Sequence, residues 1–411
     1  MIYRTIITSI KQAIKTKPVV LITGSRQVGK STICGEIKKE FGHEYVSLDN
    51  IRERETAIND PELFLELHKA PVIIDEVQYA PKLLDVIESI VNRAKFEGKE
   101  NKGMFVLTGS QAYHLMQNVS ESLAGRVSII EMSPLSLREI RNLDEIPFSV
   151  DPVTNKKRSE ENKVTVNELF EIIVRGFYPE IYDNKELDFE TFYSDYVKTY
   201  IERDVSQIIK LSDKIKFQRF MEVLASLTGE ELVCNNLAKS IGVSLPTIES
   251  WISVLVAGNI IYLLEPYNEN SLFKRVVKRP KVYFSDTGLA AYLARLNNAD
   301  VLKNSIFSGR FVETYIVNEI IKSYKNANKK TSFYYYRDAD QKEIDLVILD
   351  GGVLSFIECK SGVSYSKNNI KAFKTLKNMT KLRVGSSAII CLTNIIYPID
   401  DDVYALPVGS I

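Results

Sequence analysis

Gly24-Ser25-Arg26-Gln27-Val28-Gly29-Lys30-Ser31 has the spacing G-x-x-x-x-G-K-[ST], and it lies directly after the apolar run 18–23 and before a helical pattern. In a strand-loop-helix context the glycines let backbone N–H groups converge on phosphates. Lys30 then neutralises the β- and γ-oxygens, the Ser31 hydroxyl ligates magnesium, and the helix N-terminus adds its dipole. Residues 24–31 and the adjoining Thr32 are therefore the nucleotide-binding candidates. Val72-Ile73-Ile74-Asp75-Glu76 supplies the partner, an apolar strand ending in two acids. Asp75 would hold the magnesium shell and Glu76 would polarise the attacking water, which makes nucleotide hydrolysis the expected activity. A third strand, Phe105-Val106-Leu107-Thr108-Gly109-Ser110-Gln111, ends in hydroxyl and amide groups. Thr108 and Ser110 would sense the γ-phosphate or orient water there, and a plain turn is the other reading. Arg126, after Ser122-Leu123-Ala124-Gly125, is either a surface charge or an arginine finger for a neighbouring subunit's nucleotide.

A second constellation lies near the C-terminus. Glu313 sits in a helical pattern, Asp345 on a strand, and Glu358-Cys359-Lys360 ends the next strand thirteen residues after Asp345. Alternate strand side chains share a face, so Glu358 and Lys360 point the same way and Asp345 can meet them from a neighbouring strand. Clustered carboxylates with a lysine suit a magnesium site that activates water against a phosphodiester, as in the E…D…ExK pattern of PD-(D/E)xK nucleases. A solvated strand end is the alternative. The segment 367–383 has six basic residues and no acid, with Lys367, Lys371, Lys374, Lys377 and Lys381 at helical spacing. That predicts a long basic helix, either phosphate-binding or simply solvated. Phe273 to Lys281 carries five positive residues and no acid. It reads as a basic wing that touches phosphate backbone, or as part of a structural spacer.

The elements that must position these groups follow from patterning. A chain of 411 residues predicts two to three domains at about 150 residues each. Its 45% hydrophobic content and its 53 Lys+Arg against 53 Asp+Glu exclude disorder, and they leave any nucleic-acid affinity to local patches. Cys34, Cys234, Cys359 and Cys391 are far apart, which argues against a zinc site or a disulfide framework and suits a reducing cytosol. The first 17 residues lack a signal-peptide apolar core, and the most apolar uncharged run, Ser250 to Leu264, is too short to span a bilayer, so no membrane partner is expected. Apolar runs at 18–23, 44–48, 70–75, 103–110 and 127–132 alternate with helical segments, which predicts a parallel sheet covered on both faces. The polar stretch 151–163 reads as a surface loop. Residues 216–264 read as helix, Gly242 turn, helix and hairpin, a winged helix-turn-helix. Ser244, Thr247 and Ser250 are its exposed positions, and Trp251, Ile252 and Leu255 its core. From 286 on, the pattern predicts a second α/β domain, with helices at 287–297, 309–325 and 367–381 and strands at 332–337, 343–349, 354–359 and 386–392.

The combination GSRQVGKST, VIIDEVQ, FVLTGSQ, SLAGRV and PLSLREI resembles prokaryotic AAA-type ATPases that carry a C-terminal domain long of unknown function. RGFYPEIY, TYIERDV, KVYFSDTGL, GRFVETYIVNEI and EIDLVI…FIECK resemble the same proteins in the same order, so the likeness covers nearly the whole chain. It implies an α/β architecture with a P-loop AAA-type core at 1–145, a helical lid at 146–212, a winged helix at 213–285 and a restriction-endonuclease-like domain at 286–411. It also implies ATP and Mg as cofactors, DNA as partner and a homo-oligomer with Arg126 acting in trans. Phe177 departs from the resemblance, which implies a second glycine in the lid motif before the aromatic-proline pair. The expected function is an ATPase gating a nuclease-like domain on DNA. The competing expectation is an ATP switch whose terminal domain only binds DNA or protein.

Overall fold

The computed structural model describes residues 2–109, 122–200, 213–268 and 279–411. Five strands, β1 (Val19–Gly24), β2 (Glu44–Ser47), β3 (Val72–Asp75), β4 (Phe105–Gly109) and β5 (Val127–Met132), pair in parallel in the order β2-β3-β4-β1-β5. Because strand side chains alternate, Val20 and Ile22 of β1 enter one core with Ile73 and Val106. Val19 and Leu21 enter another with Val72, Ile74 and Leu107. The parallel register brings the ends of β1, β3 and β4 to one edge, where the loops with Lys30, Asp75 and Thr108 emerge.

Residues 151–163 are not a loop: helix Pro152–Glu161 buries Asn155 and Arg158. The Arg158 guanidinium donates to the Ile146 carbonyl at 2.7 Å and the Asn155 amide to the Ser149 carbonyl at 2.7 Å. Composition hid this because the residues that enter the interior are polar, each anchored there by a hydrogen bond to a main-chain carbonyl. Helix Cys234–Ile241 ends at Gly242 (φ 74°), and helix Leu245–Ala257, capped by Ser244, follows at a bend of 107°. Trp251, Ile252 and Leu255 are buried, while Ser244 and Ser250 are exposed. Behind these helices stands a small antiparallel sheet of β6 (Glu230–Glu231), β7 (Ile261–Leu264) and β8 (Lys281–Phe284), in the order β6-β8-β7. Residues 273–278 of the expected basic wing lie outside the described residues. Of the rest, Arg279 is exposed, but Lys281 is turned inward and only 3% exposed. No single helix among the described residues is long and apolar enough to cross a membrane.

The C-terminal unit follows the order helix-strand-strand-strand-helix-strand. Helix Ser308–Asn326 precedes β9 (Ser332–Arg337), β10 (Glu343–Asp350) and β11 (Val353–Cys359), which pair antiparallel. Helix Lys371–Met379 leads through the short β12 (Arg383–Val384) to β13 (Ser387–Cys391), parallel to β11. Two strands that the sequence reading did not anticipate, β14 (Tyr397–Asp400) and β15 (Val403–Pro407), extend the sheet. The basic segment is shorter as a helix than its lysine spacing predicts, since 367–370 is a 3-10 turn and Lys381 lies beyond the helix end. Lys367 and Lys374 both pair with Asp400 of β14, at 2.7 and 2.8 Å.

One apolar core runs without a break from Ile6 through Phe177 and Tyr315 to Ile411. Gly176 and Gly288 are opposed at its narrowest point. A Cβ on Gly288 would stand 2.7 Å from the Gly176 Cα, and Gly176 itself has φ 75° with the Tyr193 hydroxyl where its Cβ would be. Only glycine meets both demands. Gly176→Ala is expected to destabilise the chain by roughly 2 kcal/mol or more, read as a lower urea midpoint, whereas Gly35→Ala, at a half-buried helical position with open space around it, leaves that midpoint unchanged or raises it.

Candidate functional site

β1 ends at Gly24 (φ 143°), whose missing side chain is required because a Cβ would lie 2.3 Å from the Met132 carbonyl oxygen. The chain then curls through positive φ at Gln27 and Gly29 and enters helix Lys30–Phe41, whose N-terminus no side chain caps. Uncapped N–H groups at a helix start form a ready anion site. Lys30, 6% exposed, donates to the carbonyls of Gly24 (3.0 Å) and Ser25 (2.8 Å). Burial pushes its ammonium down to about 8, against the upward pull of Glu76 and Asp75.

Asp75 is the hub of the site. Its carboxylate accepts from the Ser31 hydroxyl (3.2 Å), from the Tyr45 hydroxyl (2.7 Å) and from Thr108. Thr108 in turn accepts from the Glu76 amide at 3.2 Å. Glu76 sits at φ 59°, ψ 45°, a left-handed conformation that is uncommon for a non-glycine residue, and the Gln78 amide donates to its carboxylate. Arg26, Gln27, Val28, Gly29, Thr32 and Glu76 line a cleft of about 580 Å³ with Lys30 and Ser31. The cleft is also lined by Pro179, Glu180, Asp183 and Asn184 together with Tyr196 and Thr199. Pro179 thus reaches the cleft. Arg175 instead lies over the Tyr182 ring at 4.9 Å, and Phe177 is buried beneath the Lys322 ammonium, 3.8 Å from its ring centre.

Three groups escaped the sequence reading. Arg4, 7% exposed, donates to the carbonyls of Val28 (2.6 Å) and Ser133 (2.7 Å) and pairs with Glu139 at 3.3 Å, which pins the phosphate loop to the strand edge. Tyr45 and Gln78 hold the two acids. A lone arginine, tyrosine or glutamine in an amphipathic context carries no motif, so only proximity reveals them. Arg126 lies at the start of β5, the sheet edge opposite the loop, where it pairs with Glu88 at 3.3 Å and donates to Asn92 at 2.8 Å. Within one chain it does not reach the cleft. Ser110 lies outside the described residues.

The C-terminal acids do converge. With Leu346 opposite Ile357 in the antiparallel register, Asp345 stands beside Glu358, and Asp345 accepts from the Cys359 amide at 2.8 Å. Lys360 pairs with Glu358 at 2.5 Å, as the shared strand face implies. Glu313 approaches from helix Ser308–Asn326. It faces Lys281, whose ammonium is 2.8 Å from Glu313, 2.5 Å from Glu343 and 3.8 Å from Asp345. Burial raises the Glu313 and Glu358 carboxyls, with Asp345 adding to it and the lysines opposing it. Burial alone would lower Lys281, but the surrounding carboxylates hold it well above the usual lysine range. Glu343 and Lys281 were not among the expected site residues. Among the described residues no group of three or more His, Cys, Asp or Glu side chains is arranged to hold a metal ion.

Residues 16–141 match the family model of an AAA domain, while 166–300 and 308–411 match two models described as domains of unknown function (DUF8612 and DUF4143). The chain is 26% identical over 404 residues to the uncharacterized proteins Rv2008c of Mycobacterium tuberculosis and Mb2031c of Mycobacterium bovis, covering 98% of this chain and 82% of each relative. Similar solved structures include the Walker-type ATPase PABY2304 of Pyrococcus abyssi (16% identity, TM-score 0.35, 70% of this chain and 94% of that one). A RuvB variant of Thermotoga maritima is another (16%, TM-score 0.31, 62% and 88%). Likenesses of that size carry no argument about function. Residues 16–141 are thus similar to an AAA domain, and that match supports ATP use.

The position of Lys30 sets a pH dependence. Its folded value, about 8, lies below the ordinary 10.5, so the neutral form is favoured by folding and the ammonium is progressively lost as pH rises through 8. Phosphate binding needs the ammonium and restores it. ATP affinity is therefore expected to fall by about tenfold per pH unit above 8, up to the bound-state value. Calorimetry in buffers of different ionisation enthalpy should detect proton uptake on binding near pH 8, and that uptake should fade as the pH is lowered well below 8, where the ammonium is already formed.

Proposed function

We propose that this chain hydrolyses ATP at the Lys30–Asp75 cleft and uses the nucleotide state to control a C-terminal nuclease-like domain that acts on DNA. The observation that carries the first half is the Ser31 hydroxyl held 3.2 Å from the Asp75 carboxylate, beside Lys30 and Glu76 in one cleft. A hydroxyl and a carboxylate side by side are hard oxygen donors that fit magnesium, which would neutralise charge on the β- and γ-phosphates when bound. The chain's own groups do the rest. Lys30 exchanges its loop carbonyls for phosphate oxygens, and the N-terminal amides of helix Lys30–Phe41 hold the same anion. Tyr45 and Thr108 keep Asp75 aimed at Ser31. Glu76, released from Gln78, orients the attacking water and takes its proton. Arg126 acts as a finger on a neighbouring copy's nucleotide within a homo-oligomer, a role that suits its place on the outer sheet edge.

For the second half, support comes from Asp345, Glu358 and Lys360 on adjoining strands within a helix-strand-strand-strand-helix-strand unit. A second reading, an ATP switch whose C-terminal domain binds DNA or a protein without cutting, is favoured by two observations. Lys281 already neutralises Glu313 and Glu343, and Lys367 and Lys374 are engaged by Asp400.

Glu76→Gln is expected to keep ATP binding and lose turnover by on the order of a hundredfold or more, and Lys30→Ala to lose both. Arg126→Ala should lose turnover without losing affinity. The output is tested on plasmid and single-stranded DNA with Mg²⁺ or Mn²⁺, with and without ATP. Cutting that disappears in Asp345→Ala upholds the nuclease-like reading. Turnover of ATP with no cutting of either substrate sinks it in favour of the switch.

A further inference from the structure

Lys281 belongs to β8, a strand of the small three-stranded sheet, and the carboxylates around its ammonium come from helix Ser308–Asn326 and from β10. Their oxygens are divided in a consistent way. Asp345 turns Oδ1 toward Lys281 and gives Oδ2 to the Cys359 amide. Glu343 turns Oε1 toward Lys281 while its Oε2 faces Arg337 at 3.7 Å. Glu313 gives Oε1 both to Lys281 and to the Tyr283 hydroxyl, at 2.8 and 2.6 Å. Lys281 and Tyr283 are two residues apart on β8, so they share a face and reach the same carboxylate. The result is a cage of three acids converging on one cation that the chain itself supplies. Next to it, Glu358, 7% exposed, has one buried oxygen, Oε2, that makes no hydrogen bond among the described residues.

We propose that Lys281 is the resident cation of this acidic cluster, occupying the position a divalent ion would need, so that no divalent ion binds there while β8 is docked. The inference rests on reading Glu313, Asp345 and Glu358 as a cation-binding set, and it holds whether or not DNA is cut. Two physical facts carry it. A divalent ion needs several oxygens at about 2.0–2.6 Å around one centre, and the ammonium already stands among these carboxylates, at hydrogen-bond distance from Glu313 and Glu343 and 3.8 Å from Asp345. A second cation within a few ångströms of a buried ammonium would also meet strong repulsion at low local dielectric. The leftover Glu358 oxygen is what remains when a lysine, which lacks the reach of a multi-coordinate ion, fills such a cage. Lys360 does not replace Lys281, because it is tied to the other Glu358 oxygen from the same strand. Divalent binding at this cluster then becomes a property of β8 being withdrawn.

The test counts Mn²⁺ bound per chain by electron paramagnetic resonance without nucleotide, comparing wild type, Glu358→Gln, Lys281→Met and the double variant. Ions held elsewhere, at the phosphate loop included, contribute equally to all four. Wild type and Glu358→Gln are expected to bind the same number. Lys281→Met should bind one more, lost again in Lys281→Met/Glu358→Gln, and Mn²⁺ should raise its melting temperature more than that of wild type. A Mn²⁺ ion in wild type that disappears in Glu358→Gln would overturn the proposal, as would folded Lys281→Met with no additional ion. Should Lys281→Met fail to fold in either EDTA or Mn²⁺, the wild-type and Glu358→Gln pair decides alone. DNA cutting by wild type together with a Glu358-dependent ion would remove the resident lysine yet keep the nuclease-like reading. Equal counts with no cutting would keep the lysine and remove the nuclease.

Discussion

A buried ion pair on helix Ser308–Asn326 ties that helix to the main chain that follows β5. Glu319 and Lys322, each about 4% exposed, pair at 2.9 Å where no water screens them. Such a pair persists only when its remaining donors and acceptors are satisfied. Here they are satisfied by the main chain that follows β5: the Leu137 amide donates to Glu319 at 2.7 Å, and Lys322 donates to the Leu135 carbonyl at 2.8 Å. Leu135 lines the cleft beside Lys30, and its amide donates to the Phe177 carbonyl at 2.9 Å, so the segment at Phe177, the parallel-sheet core and the C-terminal helix meet at one residue.

The same helix reaches the acidic cluster. Glu313 precedes Glu319 by six residues, about 9 Å along an α-helix axis. Helices resist bending without a proline, glycine pair or bulge, and none interrupts 313–319. Residues 135–137 are therefore joined through this helix to Glu313, and through Glu313 to Lys281 on β8. Asp286, just after β8, gives the segment at Phe177 a second tether, since its buried carboxylate accepts from the Phe177 amide at 2.7 Å and the Tyr193 hydroxyl at 2.8 Å. β8 is thus tied to Phe177 and Tyr193 through Asp286 and to the acidic cage through Lys281.

Charge is handled differently at the two sites. At the cleft a lysine is buried against neutral carbonyls and its ammonium is weakened, which leaves it ready for an anion. In the C-terminal cage a lysine is buried against carboxylates and its ammonium is strengthened, which leaves those carboxylates compensated. Identical side chains at similar burial thus do opposite work, and the neighbours alone decide which.

What could be read without coordinates was whatever a short stretch of chain completes by itself. The phosphate loop needs one strand, two positive-φ positions and one helix start, all within 18–32, so spacing alone identified it and the parallel strands around it. Asp75, Thr108, Trp251 and the Glu358–Lys360 pair followed from strand ends and from helical or strand periodicity, which are also local. The tertiary structure decided everything that depends on long separations. Arg4 on the loop at Val28, Tyr45 on Asp75, Glu319 on Leu137 and Lys281 among Glu313, Glu343 and Asp345 have no sequence spacing that announces them. A basic run looks the same in one dimension whether its lysines face solvent or carboxylates 32 or 62 residues away. Burial and pairing, which set the charge and the use of each lysine, exist only once the strands are packed.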